Sequence, residues 1–293
     1  MQFGWTGMKE KWPIGVFASI DAGLGVRLEV AHELGVPTIH LHTPHAASRT
    51  PQRAAEFNRR LGELGITTTC VFAGFEGESY ADIPTVKHTV GLLPRETRAA
   101  RTTELKEIAD FARQLNVDVV GVHLGFVPHA PGSADYRELI DLTRGVCDHC
   151  QRNRQALHLE TGQEPTDVLI QFLDDVRRDN LFVNFDPANM ILYGAGEPLP
   201  ALQQLGSRVR SVHCKDATWS DRPSETWGRE VPLGEGDVDF AAFLKILHRI
   251  GYDGPLTIER EIPQEPARQK SEIGRAIELL KRLKKNQSWK KFL

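Results

Sequence analysis

Eight short apolar runs punctuate this chain, and turn chemistry and then helix-like sequence follow each of them. The runs are IGVFAS near residue 14, TIHLH near 38, ITTTCVF near 66, DVVGVHL near 118, ALHLE ending at 160, LFVNFD ending at 186, RVRSVH ending at 213 and PLTIE ending at 259. Between them lie segments such as RAAEFNRRLGELG, ETRAARTTELKEIADFARQLN and FAAFLKILHRIGY. Their apolar residues recur at the helical period, and several end in Gly or Asn, as helix C-termini do. A strand-then-helix repeat requires parallel pairing with right-handed crossovers. Eight such units favour closure over an open sheet, so the expected fold is α/β, a single-domain (β/α)8 TIM barrel over residues 1–293. No Pro/Gly/Ser-rich linker divides the chain. The stretch from Pro187 to Leu205 is the least regular and is expected to carry the weakest helix.

Alternation within the runs is sharper still. Side chains two apart on a strand share a face. Ala156, His158 and Glu160 therefore lie on one face, opposite Leu157 and Leu159. By the same rule Asn184 lies with Asp186, Ser211 with His213, and Thr257 with Glu259. Each of these four runs has a polar stripe topped by an acid or an imidazole, and an apolar opposite face fit to pack on helices. In a parallel barrel the carboxyl ends of the strands carry the chemistry. Two glutamates, an aspartate and a histidine converging there make a hard, oxygen-rich set suited to one divalent metal ion, foremost Mn²⁺, with Mg²⁺, Co²⁺ or Zn²⁺ open. One layer below, His158, Asn184, Ser211 and Thr257 can all hydrogen-bond, as the groups that orient metal ligands must.

Further inward residues extend the site. His40 and His42 share a face in TIHLH, His123 closes GVHLGF, Lys215 follows His213 in phase, and Glu261 follows Glu259. For His42 and His123 a structural hydrogen bond and a substrate contact are both open readings. Lys215 is expected at the rim. The loop DATWSDRPSETWGREVPLGEGD is long for this architecture, and long ordered loops at the catalytic face act as lids or substrate walls. Its Trp219 and Trp227 either pack on a substrate ring or cover the core. Asp237 is expected to cap the following helix.

Charge and composition exclude several classes. The formal net charge is -3, which supplies no electrostatic drive toward nucleic acid. The basic C-terminal KRLKKNQSWKKFL reads as a solvated helix end whose cations suit the helix dipole. Cys147 and Cys150 form a lone CDHC within helical sequence, which is weak support for zinc or redox work; with Cys70 and Cys214 they are expected to be buried and inert. No stretch reaches membrane-spanning length, and MQFGWTGMKEKWP carries no cleavage-site pattern, so a cytoplasmic location is expected.

Taken together and in order, HLETG, NFDPANM, VHCKDA, PLGEGDVDF and TIERE resemble the sugar phosphate isomerase/epimerase superfamily of xylose-isomerase-like barrels. The resemblance implies a single divalent metal held by Glu160, Asp186, His213 and Glu259. It also implies that Glu160 and Glu259 move protons: one removes a proton beside a carbonyl, the metal stabilises the enediolate, and the other returns a proton. The implied substrate is a ketose, keto-sugar or related polyol, contacted by His42, His123, Asn189, Lys215, Trp219 and Glu261. Asn189 stands where sugar epimerases often carry His. The multi-zinc cluster of the related apurinic endonucleases needs histidines that this chain lacks at the matching positions, so nucleic acid is not an expected partner. Nor is a membrane; a homodimer or homotetramer is open. Two other functions remain: a lyase or dehydratase acting on a keto-cyclitol or oxidised glycoside through the same first step, and a barrel that binds sugar or metal without turnover.

Overall fold

The structure, a computed structural model, describes residues 11–286. Eight parallel strands close into a barrel. They are β1 (Ile14–Ser19), β2 (Thr38–His42), β3 (Thr67–Ala73), β4 (Val119–Val122), β5 (Ala156–Glu160), β6 (Leu181–Phe185), β7 (Val209–Cys214) and, last in the chain, β10 (Leu256–Ile258). Each pairs with its neighbour in sequence, and β10 closes the ring between β7 and β1. A small antiparallel ribbon, β8 (Asp216–Thr218) with β9 (Arg229–Val231), sits in the loop after β7. All eight barrel strands fall where the apolar runs placed them. No helix among the described residues is long and apolar enough to cross a membrane.

The helices α1 (Leu28–Glu33), α2 (Pro51–Leu64), α3 (Ile83–Thr89), α4 (Arg95–Gln114), α5 (Ala134–Arg152), α6 (Thr166–Val176), α7 (Pro187–Tyr193), α8 (Pro198–Leu205), α9 (Phe240–Arg249) and α10 (Pro266–Lys285) surround the barrel. Their ends follow local chemistry. The Thr50 hydroxyl accepts from Arg53 N, Pro51 opens α2, and Gly65 closes it at a φ of 67°. The basic C-terminal stretch begins as the last turn of α10, with Arg282, Lys284 and Lys285 at the negative end of the helix dipole. Residues 287–293, like 1–10 at the other terminus, lie outside the described residues.

Two expectations need correction. Pro187–Leu205 forms two definite helices, α7 and α8. In α7 every residue but Leu192 is buried, so there is no polar face and no period to read in the sequence. The cap of α9 is Asp239, whose carboxylate accepts from Ala242 N at 2.9 Å. Asp237 instead accepts from Trp219 N at 2.9 Å and ties down the loop after β7. That loop is a pinned strap: the Asp216 carboxylate accepts from the backbone of Ala217, Gly234, Gly236 and Val238. A Cβ at Gly236 would lie 2.3 Å from Asp216 Oδ1, which explains the glycine. All four cysteines are free and buried, and burial pushes their thiols up and out of reactive range, as the lone CDHC suggested.

Candidate metal centre

Strand ends place the four ligand candidates at one height. Glu160 ends β5, Asp186 follows β6, His213 sits near the end of β7, and Glu259 follows β10. The parallel register sets Glu160 beside Asn184, Asn184 beside Ser211, and His213 beside Thr257. One ligand atom from each of the four lies within 4.8 Å of the others. His213 Nδ1 is 2.5 Å from Glu160 Oε1, 3.1 Å from Glu259 Oε2 and 3.9 Å from Asp186 Oδ2.

The layer beneath holds these groups in place. Asn184 Nδ2 donates to Glu160 Oε1 at 2.9 Å, and His123 Nε2 lies 2.5 Å from Glu160 Oε2. Asp186 Oδ1 caps α7 by accepting from Ala188 N at 2.8 Å and Asn189 N at 3.1 Å. Its other oxygen, Oδ2, is buried with no hydrogen-bond partner among the described residues, and His213 Nδ1 faces carboxylate oxygens of both Glu160 and Glu259. A buried carboxylate oxygen without a partner, beside an imidazole nitrogen and two more carboxylates, fits a bound cation. His213 can offer Nδ1 as a lone pair only with its proton on Nε2, and His40 Nδ1 waits there at 3.0 Å to accept it. Burial leads in holding His40 well below its ordinary range, with His213 adding to it, so His40 stays neutral and accepting.

The charges of the cluster are strongly coupled, and a ligating His213 must first give up its Nδ1 proton. Burial pulls the His213 imidazole down, but Glu259 and Glu160 outweigh it and push the pKa up to about 10. Burial likewise opposes ionisation of Glu160, yet His123 and His213 hold it at about 2. Glu259 is kept well below the carboxylate range by Lys215 and His213, against burial. Asp186, dominated by burial and repelled by the two glutamates, is pushed well above it. With no cation among them, the two glutamates draw a proton onto His213 and Asp186 keeps its own; a divalent ion held by these four groups would take the place of those protons.

A cavity of about 620 Å³ opens over this cluster. Its lining includes Glu160 and Glu259 and, of the expected substrate contacts, His42, His123 and Glu261. Asn189, Lys215 and Trp219 are not on it. Asn189 is buried on α7, where its Cβ backs onto Gly162. Lys215 is 2% exposed and drawn off the rim by its ion pairs with Glu261 and with Glu259 at 3.5 Å. Trp219 packs against the core, and Trp227 lies tilted against Tyr193 with ring centroids 4.5 Å apart. The lining also takes in Leu24, Glu78 and Tyr80, which the sequence did not single out. They stand on loops whose Gly-rich composition reads only as turn. His40 was recognised as inward-facing, but its partner lies 173 positions away.

Two predictions arise from these neighbours. His40→Ala frees His213 to adopt the other tautomer, and Mn²⁺ affinity is expected to fall about 10–100-fold in a calorimetric titration; an unchanged affinity would exclude the orienting role. Glu164 is buried, its Oε2 has no hydrogen-bond partner among the described residues, and burial pushes its pKa up to about 8 against the pull of His123. Unfolded, the same carboxyl ionises near ~4.3. Between those values the folded chain holds a proton that the unfolded chain has lost, so stability is full at low pH and declines as pH rises, by up to about 1.4 kcal/mol per unit. Glu164→Gln is expected to melt above the parent at pH 7.5, by roughly 1–3 kcal/mol, with the gain gone near pH 4.5. A variant no more stable than the parent at pH 7.5 would contradict this.

Comparison with known proteins places this geometry. The family model described as a xylose isomerase-like TIM barrel matches residues 28–283. The crystal structure of a xylose isomerase domain protein from Planctomyces limnophilus is 53% identical, with a TM-score of 0.92 over 94% of this chain and 98% of that one. Inosose dehydratase of Clostridium beijerinckii is 29% identical over 38% of this chain and 40% of its own. L-ribulose 3-epimerase of a Methylomonas species is 33% identical over 31% of this chain and 27% of its own. The chain thus spans less than two-thirds of the length of these curated relatives.

Proposed function

The chain belongs to the xylose isomerase-like TIM barrel family, and from that premise we propose that it is a divalent-metal-dependent isomerase or epimerase of a ketose, keto-sugar or related polyol. One observation carries this reading: of the four clustered ligand candidates, only Glu160 and Glu259 line the cavity. A substrate in that cavity meets two carboxylates, while Asp186 and His213 stay behind to hold the ion. Mn²⁺ is the proposed cation. Bound among these groups, it would supply a positive charge against the negative charge that develops on a substrate carbonyl oxygen.

The chain's own groups perform the proton transfer. One glutamate takes the proton from the carbon beside the carbonyl, and the C–H electron pair moves into the new double bond as charge shifts to oxygen. The other glutamate delivers a proton to the same carbon, or the same glutamate to its neighbour, so composition is retained. His123, against Glu160 Oε2, and Lys215, beside Glu259, fix both carboxylates and temper their basicity. Phe17 and Phe72 flank His213 at ring-centroid distances of 5.5 and 5.3 Å and line the cavity, so the cluster sits against apolar surface, which strengthens charge interactions there.

A second reading is favoured by the relatives, which include proteins named as an epimerase and as a dehydratase. After the same proton abstraction, a leaving group on the adjacent carbon departs with its electron pair, which makes the protein a lyase. NMR of keto-sugars turned over in deuterated water separates the two. Deuterium next to the carbonyl with unchanged composition supports isomerisation or epimerisation, and loss of water or an aglycone supports the lyase. Absence of exchange across a panel of ketoses and keto-sugars by the Mn²⁺-loaded protein would reject both.

A further inference from the structure

The two glutamates on the cavity wall are held in different ways. Glu160 ends a barrel strand and is fixed from within the barrel, by Asn184 and His123. Glu259 lies just beyond the end of β10, where its carboxylate meets His213 and the Lys215 ammonium, the latter 3.5 Å from Oε2. Lys215 is in turn steered by its ion pair with Glu261. The position of the Glu259 carboxylate therefore depends on the path of the next two residues.

A single oxygen outside the cavity sets that path. Glu230 Oε1 accepts from the Arg260 guanidinium at 2.6 Å and from the Glu261 backbone N–H at 3.0 Å. Glu230 stands on β9, opposite Ala217 of β8, in the strap that the Asp216 carboxylate pins through four backbone N–H groups. Arg260 is anchored on its other edge, where Nε donates to Glu272 of α10 at 2.9 Å. The Arg260 and Glu230 side chains are only 13 and 14% exposed, so removing either leaves the other charge largely buried and uncompensated. These links form a circuit. Lys215 leads from β7 into β8, β8 carries β9, Glu230 of β9 holds Arg260 and Glu261, and Glu261 returns to Lys215. Glu259 lies inside that circuit and Glu160 outside it. Glu230 is not on the cavity lining, so it reaches the chemistry only through these neighbours.

We infer that Glu230 is a positioning residue for Glu259 and not for Glu160: through Arg260 and the Glu261 backbone it fixes how the Glu259 carboxylate faces metal and substrate. This rests on the proton transfer proposed above and adds an asymmetry to it, because only one of the two glutamates is aimed by the strap. A reacting group displaced by about 1 Å loses about 10²-fold in rate. Groups that orient a metal ligand are typically worth about 10–100-fold in metal affinity.

The test compares Glu230→Ala with Glu230→Gln in the full chain. The amide keeps an acceptor oxygen at the same reach, and alanine removes it. Mn²⁺ affinity is read by calorimetry. Deuterium uptake beside the carbonyl is read by NMR from each epimer at saturating Mn²⁺, the Glu259-facing epimer being the one whose uptake Glu259→Gln abolishes. Glu230→Ala is expected to bind Mn²⁺ about tenfold more weakly. Its uptake from the Glu259-facing epimer is expected to fall about tenfold or more relative to uptake from the other. Glu230→Gln is expected to return both quantities toward the parent. Should the alanine variant fail to fold, Glu230→Asp takes its place: it keeps a charge for Arg260, withdraws it by one methylene, and should show the same skew. Equal loss from both epimers, following a lowered melting temperature, would make Glu230 a structural residue and overturn the inference while leaving the proton-transfer reading intact. Unchanged Mn²⁺ affinity with an unchanged uptake ratio would do the same. A parent that exchanges neither epimer of any keto-sugar removes the proton-transfer reading, and the Mn²⁺ affinities of the variants then decide by themselves whether Glu230 aims Glu259.

Discussion

Glu160→Gln and Glu259→Gln are each expected to lower interconversion of the substrate's epimers by about 10³-fold or more at saturating Mn²⁺. The amide matches the carboxylate in shape but cannot take up a proton, and positioned acid–base groups alone are worth about 10²–10⁴-fold. Both substitutions also remove one negative charge from the metal cluster, so the comparison is made at a metal concentration that restores occupancy, verified by titration. Two glutamates on the cavity lining predict more than loss of rate. Each variant should lose deuterium uptake from the epimer whose proton its carboxylate faces, and keep part of the uptake from the other. Asp186→Asn is the control: Asp186 is fully buried and off the lining, so it should weaken metal binding without separating the two exchange reactions. If Glu160→Gln or Glu259→Gln interconverts epimers within tenfold of the parent, that glutamate is not an acid–base group.

Mn²⁺ is expected to raise the melting temperature, and chelation to reverse the rise. A ligand that binds only the folded chain at about 100 times its Kd stabilises by about 2.7 kcal/mol. For a chain of 293 residues that corresponds to roughly 4–5 °C. The physical source is the cluster itself: carboxylates converge on His213 Nδ1, and the buried Asp186 Oδ2 lacks a hydrogen-bond partner among the described residues. Asp186→Asn keeps the oxygen that caps α7 in an isosteric side chain while removing a charge, so it should fold and lose most of the shift. Melting curves with Mn²⁺, Mg²⁺, Co²⁺ and Zn²⁺ would rank the cations. A parent protein whose melting temperature ignores all four would remove the metal from the account.

Glu160, Asp186, His213 and Glu259 were legible because each closes an apolar run in phase with a polar stripe, and the structure brings them within 4.8 Å of one another. Lys215 was in the same phase and still left the rim, because Glu259 and Glu261 together hold its ammonium in a buried pocket. Asn189 was placed by motif and lies buried on α7, a helix with too little polar face to announce itself. Glu164 gave no signal, since burial of a loop carboxyl depends on what folds over it.

What the sequence determined by itself was the barrel and the polar inner stripe of its strands. Strand alternation and helix period are steric consequences of the local backbone, so they act wherever the residues stand in the chain. What only the tertiary structure decided was everything that needs closure: the His40–His213 pair, the retreat of Lys215, and the hold of Glu230 on Arg260 and Glu261. Those contacts join residues far apart in sequence, and their partners are set by how the ring of strands closes, a property that no single strand contains.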